Sequence, residues 1–186
     1  MSLIKLWKAN PDGFNHYKAR QIVAFAGDGN LRDNSDCSKE LREYLGSVNI
    51  DRLAEYALEC LNHSFPDSGF FLQDVVNELG RRLEFDVNDG RYRGVQGAVG
   101  FDGIWNIPSG PSIVVEVKTT DTYNVSLDSI AGYRSKLLED GTLDKSASVL
   151  FVVGRKDTGA LEAQIRGSRH AWDMRVVGVD SLVRLV

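Results

Sequence analysis

The stretch GFDGIWNIPSGPSIVVEVKT, residues 100–119, decides the fold of this chain. Apolar residues recur in both halves of the stretch, and the PSGP sequence at 108–111 between them is typical of a loop. We therefore predict two strands, residues 100–107 and 112–119, joined as a hairpin. The second strand is mostly apolar, as expected for a strand that is covered on both faces.

Two charged residues, Glu116 and Lys118, interrupt this second strand. Side chains two positions apart in a strand point to the same face, so both reach one place. A hairpin of this length brings Asp102, on the preceding strand, beside Glu116. Burying three ionisable groups costs several kcal/mol each unless they compensate one another or bind a ligand. The alternative is an exposed ion pair on an edge strand, worth about 0–1 kcal/mol, which the apolar flanks disfavour.

The residue types of this cluster suit a divalent cation. Two ionised carboxylates repel each other at short range unless a cation lies between them. Mg²⁺ prefers one or two carboxylates together with waters and phosphate oxygens, so we expect Asp102 and Glu116 to bind it. The ammonium group of Lys118 is then available to orient a water for attack on phosphorus or to stabilise negative charge.

The segments around the hairpin predict alternating helices and strands. Apolar residues from Leu72 to Leu83 recur at helical spacing, and Glu78 lies beside this apolar stripe. Ser126 is expected to cap a helix over residues 127–139. Further expected elements are a buried strand at 147–153, a helix from Thr158 that carries Trp172 toward the core, and a strand at 174–179. This order predicts an α/β fold with a mixed central sheet flanked by helices.

The chain before residue 69 has a different pattern. Turn signals predict that the first ~30 residues are irregular, and two helices are expected after them, near 36–45 and 51–61. We therefore predict a helical N-terminal arm and region, 1–68, followed by the α/β core, 69–186. The Asn-Asp-Gly sequence at 88–90 predicts a turn ahead of the hairpin. Because the chain ends directly after an apolar stretch, we expect it to be a fragment of a longer protein.

The composition is that of an ordinary globular protein. Hydrophobic residues make up 42% and charged residues 26% of the 186, which excludes a disordered tail or a coiled coil. No apolar run approaches the ~18 residues of a membrane span and no leader is recognisable, so we expect no membrane partner and a cytoplasmic location. Cys37 and Cys60 are expected to be reduced thiols. The net charge of −4 disfavours a polyanionic partner only weakly, because a local patch binds nucleic acid.

At the residues of the hairpin the chain resembles the PD-(D/E)xK nuclease superfamily, which includes the restriction-endonuclease-like proteins. Asp102 stands at the place of the first motif of that superfamily, and Glu116-Val117-Lys118 stands at the place of its Glu-x-Lys motif. Many members carry a further Glu on the preceding helix, where this chain has Glu78. The order of elements is similar over about residues 69–180. The proline that usually precedes the Asp is absent, and Phe101 occupies that position.

The resemblance implies metal-dependent hydrolysis of a phosphodiester. Asp102, Glu116 and the backbone carbonyl of Val117 would hold Mg²⁺, for which Mn²⁺ is expected to substitute. Lys118 would orient or activate the attacking water. Glu78 would hold a second metal ion or a water on the metal, and a solvated surface carboxylate is the structural alternative for this residue.

The implied partner is DNA, with RNA and single strands left open. Basic residues near the motif are expected to contact phosphates, together with the threonine that follows the motif. The expected contacts are Arg91, Arg93, Thr119, Arg134 and Lys136. Tyr92 and Tyr123 are candidates for stacking on a base or sugar. The last basic group is a weaker candidate, since solvated surface charges also explain it; its members are Arg155, Lys156, Arg166 and Arg169.

We therefore predict an Mg²⁺-dependent endonuclease that cleaves DNA, of restriction or defence type. A homodimer and an additional C-terminal domain are both open as partners. One alternative is a non-catalytic nucleic-acid-binding or assembly module on the same fold, against which the three intact motif residues argue. Another is a glycosidase with Asp102 and Glu116 as acid and base, which the neighbouring lysine and the absence of an aromatic sugar-cleft pattern disfavour.

Overall fold

The computed structural model describes residues 2–94, 99–119, 126–154 and 158–186. Two compact units make up the chain, Met1–Glu78 and Leu79–Val186. The boundary between them falls inside a helix that runs over Ser68–Arg82.

The described part of the first unit is helical. Its helices are α1 (Leu3–Ala9), α2 (Pro11–Phe14), α3 (Ala19–Phe25), α4 (Asp36–Ser47), α5 (Ile50–Asn62) and most of α6 (Ser68–Arg82). The apolar helix predicted from Leu72 to Leu83 and the two predicted near 36–45 and 51–61 are confirmed as α6, α4 and α5. The cap of α4 is the hydroxyl of Ser35, which accepts the Ser38 N–H at 3.1 Å.

The prediction of an irregular N-terminus was wrong, because three short helices lie there. The hydroxyl of Ser2 caps α1, and the Asn10 side chain accepts the Gly13 N–H at 3.1 Å at the start of α2. Helices this short are not stable alone in water, so packing in the unit stabilises them. Leu3 and Ile22, for example, are fully buried.

Two pairs of buried polar groups join helices of the first unit. The Arg42 Nε on α4 lies 3.0 Å from the Asp74 Oδ1 on α6, and the Asp74 side chain is fully buried. The hydroxyl groups of Tyr44 and Tyr56 are 2.7 Å apart and buried. Pairing of this kind avoids the several kcal/mol that an unsatisfied buried group costs.

Both cysteines are buried free thiols of the first unit. Burial raises the pKa of Cys37 to about 11, and nearby carboxylates such as Asp28 add to the rise. Burial likewise raises the pKa of Cys60 to about 12. The expectation of reduced thiols is consistent with this environment, since a neutral thiol is the favoured form there.

The second unit is built on a mixed sheet, five-stranded in its described part. The strands, in sheet order, are β1 (Asp86–Asp89), β2 (Gly103–Asn106), β3 (Ser112–Lys118), β4 (Ser148–Val153) and β5 (Met174–Gly178). The first three pair antiparallel, and β3, β4 and β5 pair parallel. The helices are α7 (Leu127–Glu139), α8 (Gly159–Arg166) and α9 (Val179–Val183). This confirms the predicted α/β fold with a mixed central sheet, flanking helices and a helical N-terminal region.

Strand β1 corrects the predicted turn at 88–90. Asp86–Asp89 pairs with β2, so that Val87 lies opposite Trp105. The local sequence is turn-like, but pairing with the hairpin supplies the backbone hydrogen bonds that make it an edge strand. The hairpin itself is confirmed, with β2 shorter than predicted.

Side chains from α7 and the sheet form the core of this unit. Ser126 caps α7 as predicted, accepting the Ser129 N–H at 3.2 Å. The core includes Ile104, Val114, Phe151, Leu127, Ile130 and Leu137. On the other face, Trp105 lies against Phe85 and Gly80, where a Cβ would stand 2.5 Å from its ring.

The prediction that Trp172 packs in the core was wrong. Helix α8 ends at Arg166, and Trp172 follows in a turn ahead of β5 with 88% of its surface exposed. From α8, Ile165 is buried in the core and Leu161 packs against it. Among the described residues, no helix has both the length and the apolar character needed to cross a membrane.

Candidate active site

Asp102, Glu116 and Lys118 lie close together where β2 begins and β3 ends, beside the core residues Phe151 and Val153 of β4. Ile104 and Val114 are paired neighbours on β2 and β3 and belong to the core that α7 covers. Glu116 lies two positions after Val114 on the same face of β3, and Asp102, directly before β2, lies close enough to Glu116 and Lys118 to interact with both electrostatically. Lys118 follows Glu116 at the same spacing. The structure therefore brings these three predicted residues together.

Hydrogen bonds position Asp102 against β3. Its backbone N–H donates to the Val115 carbonyl at 3.1 Å, and its Oδ2 accepts the Val117 N–H at 2.6 Å. On β3 itself, the Lys118 ammonium forms an ion pair with the Glu116 carboxylate. The Glu116 side chain is 13% exposed and that of Lys118 is 32% exposed, so water screens the pair only partly.

The electrostatics of the cluster are unfavourable for two ionised carboxylates. Burial raises the pKa of Asp102 from its ordinary 3.8 to about 7, and repulsion by Glu116 adds to the rise. The Val117 N–H and the Lys118 ammonium lower the pKa, but less strongly. The Glu116 carboxylate is thus close enough to oppose the ionisation of Asp102, and a cation held between the two would relieve that repulsion.

The donor set of the cluster fits a hard cation. Among the residues that the structure describes, no group of three or more His, Cys, Asp or Glu could hold a metal ion. The cluster offers two carboxylates, to which the Val117 carbonyl would add a third oxygen. Mg²⁺ is bound in this way, since it keeps several waters and needs one or two carboxylates with phosphate oxygens. The set lacks the nitrogen and sulfur ligands typical of zinc sites.

Gly90 is a residue of this site that the sequence analysis missed. Its N–H donates to the Asp102 carbonyl at 3.0 Å. A Cβ at Gly90 would stand 1.9 Å from the Phe101 carbonyl oxygen, so only glycine allows this close approach. Next to it, Asp89 pairs with Arg81 of α6 at 2.6 Å. The only sequence signal was the glycine itself, and the predicted turn at 88–90 already explained that glycine.

Glu78 is the last residue of the first unit, and it is 8% exposed. It is therefore not the solvated surface carboxylate that was its structural alternative. Its carboxylate oxygens lie 3.8–3.9 Å from the position of a Cβ on Gly46 of α4. A role in holding a second metal ion stays a prediction.

The predicted nucleic-acid contacts lie at several places. Arg91 and Arg93 are exposed between β1 and β2, in the segment that leads to the cluster. Thr119 is half-buried directly after Lys118, and Lys136 is exposed on α7. Their contacts with nucleic acid stay predictions.

Arg134 has a structural role in the second unit. Its Nε donates to the Ala147 carbonyl at 2.6 Å, and its guanidinium lies 3.4 Å from the Asp173 carboxylate. Ala147 directly precedes β4, whereas Lys118 pairs with Val153 at the other end of that strand. The structure therefore does not bring Arg134 to the cluster.

Of the two predicted stacking residues, the structure describes only Tyr92. Tyr92 is 7% exposed, so its ring is not available to a base in this conformation. Tyr123 lies outside the described residues, as do Arg155 and Lys156 of the last basic group.

The chain has a restriction-endonuclease-like fold. Among solved structures, the chain is similar to restriction endonuclease FokI, with a TM-score of 0.50 and 18% sequence identity. The similarity covers 82% of this chain and 30% of the FokI chain, so the chain spans under a third of that protein. An identity this low shows the fold alone. No protein-family model matches the sequence, and no curated protein matches it.

Proposed function

We propose that this protein is an Mg²⁺-dependent endonuclease of the PD-(D/E)xK type that hydrolyses phosphodiester bonds of DNA. One observation carries the proposal, the meeting of Asp102, Glu116 and Lys118 where β2 begins and β3 ends. A carboxylate whose pKa is raised by burial and by a second carboxylate is a poor structural element and a good cation ligand.

In this proposal the carboxylates of Asp102 and Glu116 and the carbonyl of Val117 bind Mg²⁺, with Glu78 as a candidate for a second ion. The bound cation would offset the negative charge of the phosphate and lower the pKa of the attacking water. Mn²⁺ is expected to substitute, because it takes the same oxygen ligands.

Lys118 is the proposed positioning and charge-stabilising group. Its ion pair with Glu116 holds the ammonium beside the carboxylates. From there the Nζ can hold a water in line with the scissile bond and stabilise negative charge that develops on the phosphate. Partial burial strengthens both effects, since charges interact more strongly where water is scarce.

We further propose that residues 69–186 act as the catalytic core and that the biological role is restriction or another defence against foreign DNA. The restriction-endonuclease-like fold supports both proposals. A second copy of the chain or a further domain would supply what one small core lacks, namely a second cut or sequence recognition. Arg91, Arg93, Thr119 and Lys136 are the proposed contacts to the phosphates.

The alternative is a non-catalytic nucleic-acid-binding or assembly module on the same fold. Such a module would need the basic surface but would have no use for two opposed carboxylates and a lysine. The alternative therefore predicts nucleic-acid binding that is independent of divalent cations.

The test is cleavage of supercoiled plasmid and of single-stranded DNA with Mg²⁺, with Mn²⁺ or with EDTA. Lys118→Ala is expected to lower the rate at least about 10³-fold while Mn²⁺ binding, measured by calorimetry, persists. Asp102→Ala is expected to lose both cleavage and Mn²⁺ binding. Lys145→Ala is the matched control, because Lys145 is an exposed lysine of the same unit.

Cation-dependent cleavage that Lys145→Ala keeps and Lys118→Ala loses would support the proposal. A folded wild-type protein that neither cleaves nor binds Mn²⁺ would contradict it and favour the non-catalytic module.

A further inference from the structure

Trp172 is exposed to an extent that is unusual for its residue type. Tryptophan is highly buried on average in globular proteins, yet 88% of this side chain is accessible. It lies in the turn between α8 and β5, with Ala171 before it and Asp173 after it. An indole presented to solvent in this way is typical of binding surfaces, where Trp supplies a large rigid contact.

The turn that presents Trp172 is held by Arg175. The Arg175 Nη1 donates to the Ala171 carbonyl at 2.9 Å and to the Met174 carbonyl at 2.7 Å. Among the ion pairs of the described residues, none gives Arg175 a carboxylate partner. Its acceptors are neutral, so its positive charge remains available to a ligand.

An open groove of about 410 Å³ lies beside this turn, between α8 and β5. Its apolar lining comes from Ile165, Met174 and Val176. Three charged residues, Glu162, Arg166 and Arg175, line it as well, as does Ala171, which directly precedes Trp172. The carboxylate of Glu162 stands 3.9 Å from the exposed Arg166 guanidinium, a contact too long and too solvated to neutralise it.

We propose that Trp172, Arg166 and Arg175 form a platform that binds unpaired nucleotides of a nucleic acid. One base stacks on the indole, and the two guanidinium groups take phosphates of the same strand. Aromatic stacking needs a base whose face is free, so the platform selects single-stranded over fully paired segments. The combination of an exposed ring with two arginines matches a ligand that carries both a π face and negative charge.

This inference rests on the proposed function in one respect, because it adds a second contact to the nucleic acid that the cluster would cleave. The platform is separate from that cluster. Met174 begins β5 and pairs with Val149 of β4. Lys118 of β3 pairs with Val153 of β4, which pairs with Gly178 at the other end of β5. Met174 and Lys118 are therefore separated by four residues along the strand direction, roughly 13 Å, and by two strand spacings across the sheet, roughly 10 Å. Altering the platform should therefore leave the geometry of the cluster intact.

The experiment measures binding of an oligothymidylate of about 12 nucleotides in EDTA, so that cleavage does not intervene. Fluorescence anisotropy of the labelled strand gives the affinity, and quenching of tryptophan emission reports stacking. Trp172→Ala is expected to weaken binding about tenfold, while Trp172→Phe retains most of the affinity because an aromatic face remains.

The arginine part of the platform has a matched control in the same unit. Arg166 and Arg184 are both exposed and both have an acidic partner four positions before them, Glu162 and Asp180. Arg166→Ala is expected to weaken binding about threefold and to reduce its salt dependence, since one phosphate contact is lost. Arg184→Ala is expected to change neither. Thermal unfolding of each variant excludes a general loss of structure.

The platform would be overturned by unchanged affinity in Trp172→Ala, by equal effects of Arg166→Ala and Arg184→Ala, or by a duplex that depends on Trp172 as strongly as the single strand. A change of oligomeric state in Trp172→Ala without a change in nucleic-acid binding would also overturn it and identify a protein interface. Binding through Trp172 by a protein that never cleaves would support the platform and contradict the nuclease proposal. Cleavage with binding that ignores Trp172 would do the reverse.

Discussion

Asp74 and Asp102 are two aspartates of this chain that lose much of their contact with water, and their surroundings differ. Asp74 in the first unit is fully buried at its side chain and lies 3.0 Å from the guanidinium of Arg42. Asp102 in the second unit shares its corner of the sheet with Glu116, a second carboxylate, which helps to raise its pKa to about 7. The first aspartate is paired with a cation of the fold, and the second opposes a like charge.

The difference separates a structural charge from a functional one. A buried carboxylate with a matched guanidinium stabilises the arrangement once both are present, and removing one partner is costly. Two opposed carboxylates lower stability until a cation is supplied from outside. Buried charge by itself therefore does not mark a site, whereas a second carboxylate that raises the pKa of the buried one does.

The largest effect is expected where the structural pair is broken. Asp74→Ala should lower the free energy of unfolding by about 3–5 kcal/mol, because it leaves the partly buried Arg42 without this partner. Urea denaturation at neutral pH measures the loss. The double variant with Arg42→Met should recover much of it, since an apolar pair can replace an ion pair. An Asp74→Ala variant as stable as the wild type would show that the pair of Asp74 with Arg42 does not stabilise the fold.

Removing the charge of Asp74 should destabilise the protein, whereas removing the charge of Asp102 should stabilise it, and the effect at Asp102 depends on pH. Between its ordinary pKa of 3.8 and the raised value of about 7, the folded protein holds a proton that the unfolded chain has released. The contribution of this carboxyl to stability is therefore fully present below pH 4 and is lost as the pH rises through about 7. In the absence of divalent cations, the wild type should lose about 2–4 kcal/mol between pH 5 and pH 8 relative to Asp102→Asn.

Urea denaturation of both proteins at the two pH values checks this prediction. Asn keeps the shape and an acceptor for the Val117 N–H but does not titrate, so the difference between the curves isolates the carboxyl. Added Mg²⁺ should restore the stability of the wild type at pH 8 and not that of the variant. Parallel pH profiles would show that the two carboxylates do not oppose each other in solution.

A smaller effect is expected from Gly90→Ala, which tests whether Gly90 helps to position Asp102. The added methyl group would stand 1.9 Å from the Phe101 carbonyl, so the backbone must shift at a cost of roughly 1–3 kcal/mol. The affinity for Mn²⁺ should fall as well, because the backbone shift displaces Asp102. A loss of stability that left Asp102 in place would not change this affinity.

The matched control for this glycine is Gly132→Ala on α7. Apart from its chain neighbours and the backbone of its own helix, no atom of the described residues lies within 4 Å of the position of its Cβ, so alanine should be neutral or stabilise the helix by up to about 1 kcal/mol. Unfolding curves and Mn²⁺ calorimetry on both variants compare them directly. Equal Mn²⁺ affinities in the two variants would contradict a role for Gly90 in positioning Asp102.

Elements with strong local signals could be predicted from the sequence. Helix α7 begins and ends where the pattern places it, because Ser126 is a good cap and the apolar residues follow helical spacing. The hairpin of β2 and β3 could be predicted because its loop and its apolar strands agree. The meeting of Asp102 with Glu116 and Lys118 follows from the period of the strand and from the length of the hairpin.

Elements that depend on tertiary contacts could not be predicted. The three N-terminal helices are too short to show a periodic pattern, and β1 is turn-like until it pairs with β2. Trp172 is apolar by type and exposed in fact, since the helix that was to carry it ends at Arg166. Gly90 escaped notice because a close backbone approach leaves no periodic trace in the sequence.

The burial of the two cysteines has a practical consequence. Alkylating reagents attack the thiolate, and burial keeps Cys37 and Cys60 protonated and covered near neutral pH. The chain has only these two cysteines, so the native protein should react slowly with maleimides. A cysteine introduced at an exposed position, for example Lys145→Cys, would then be the single point of attachment for a dye or a crosslinker. Distances between this protein and a bound strand could be measured without first removing a native thiol.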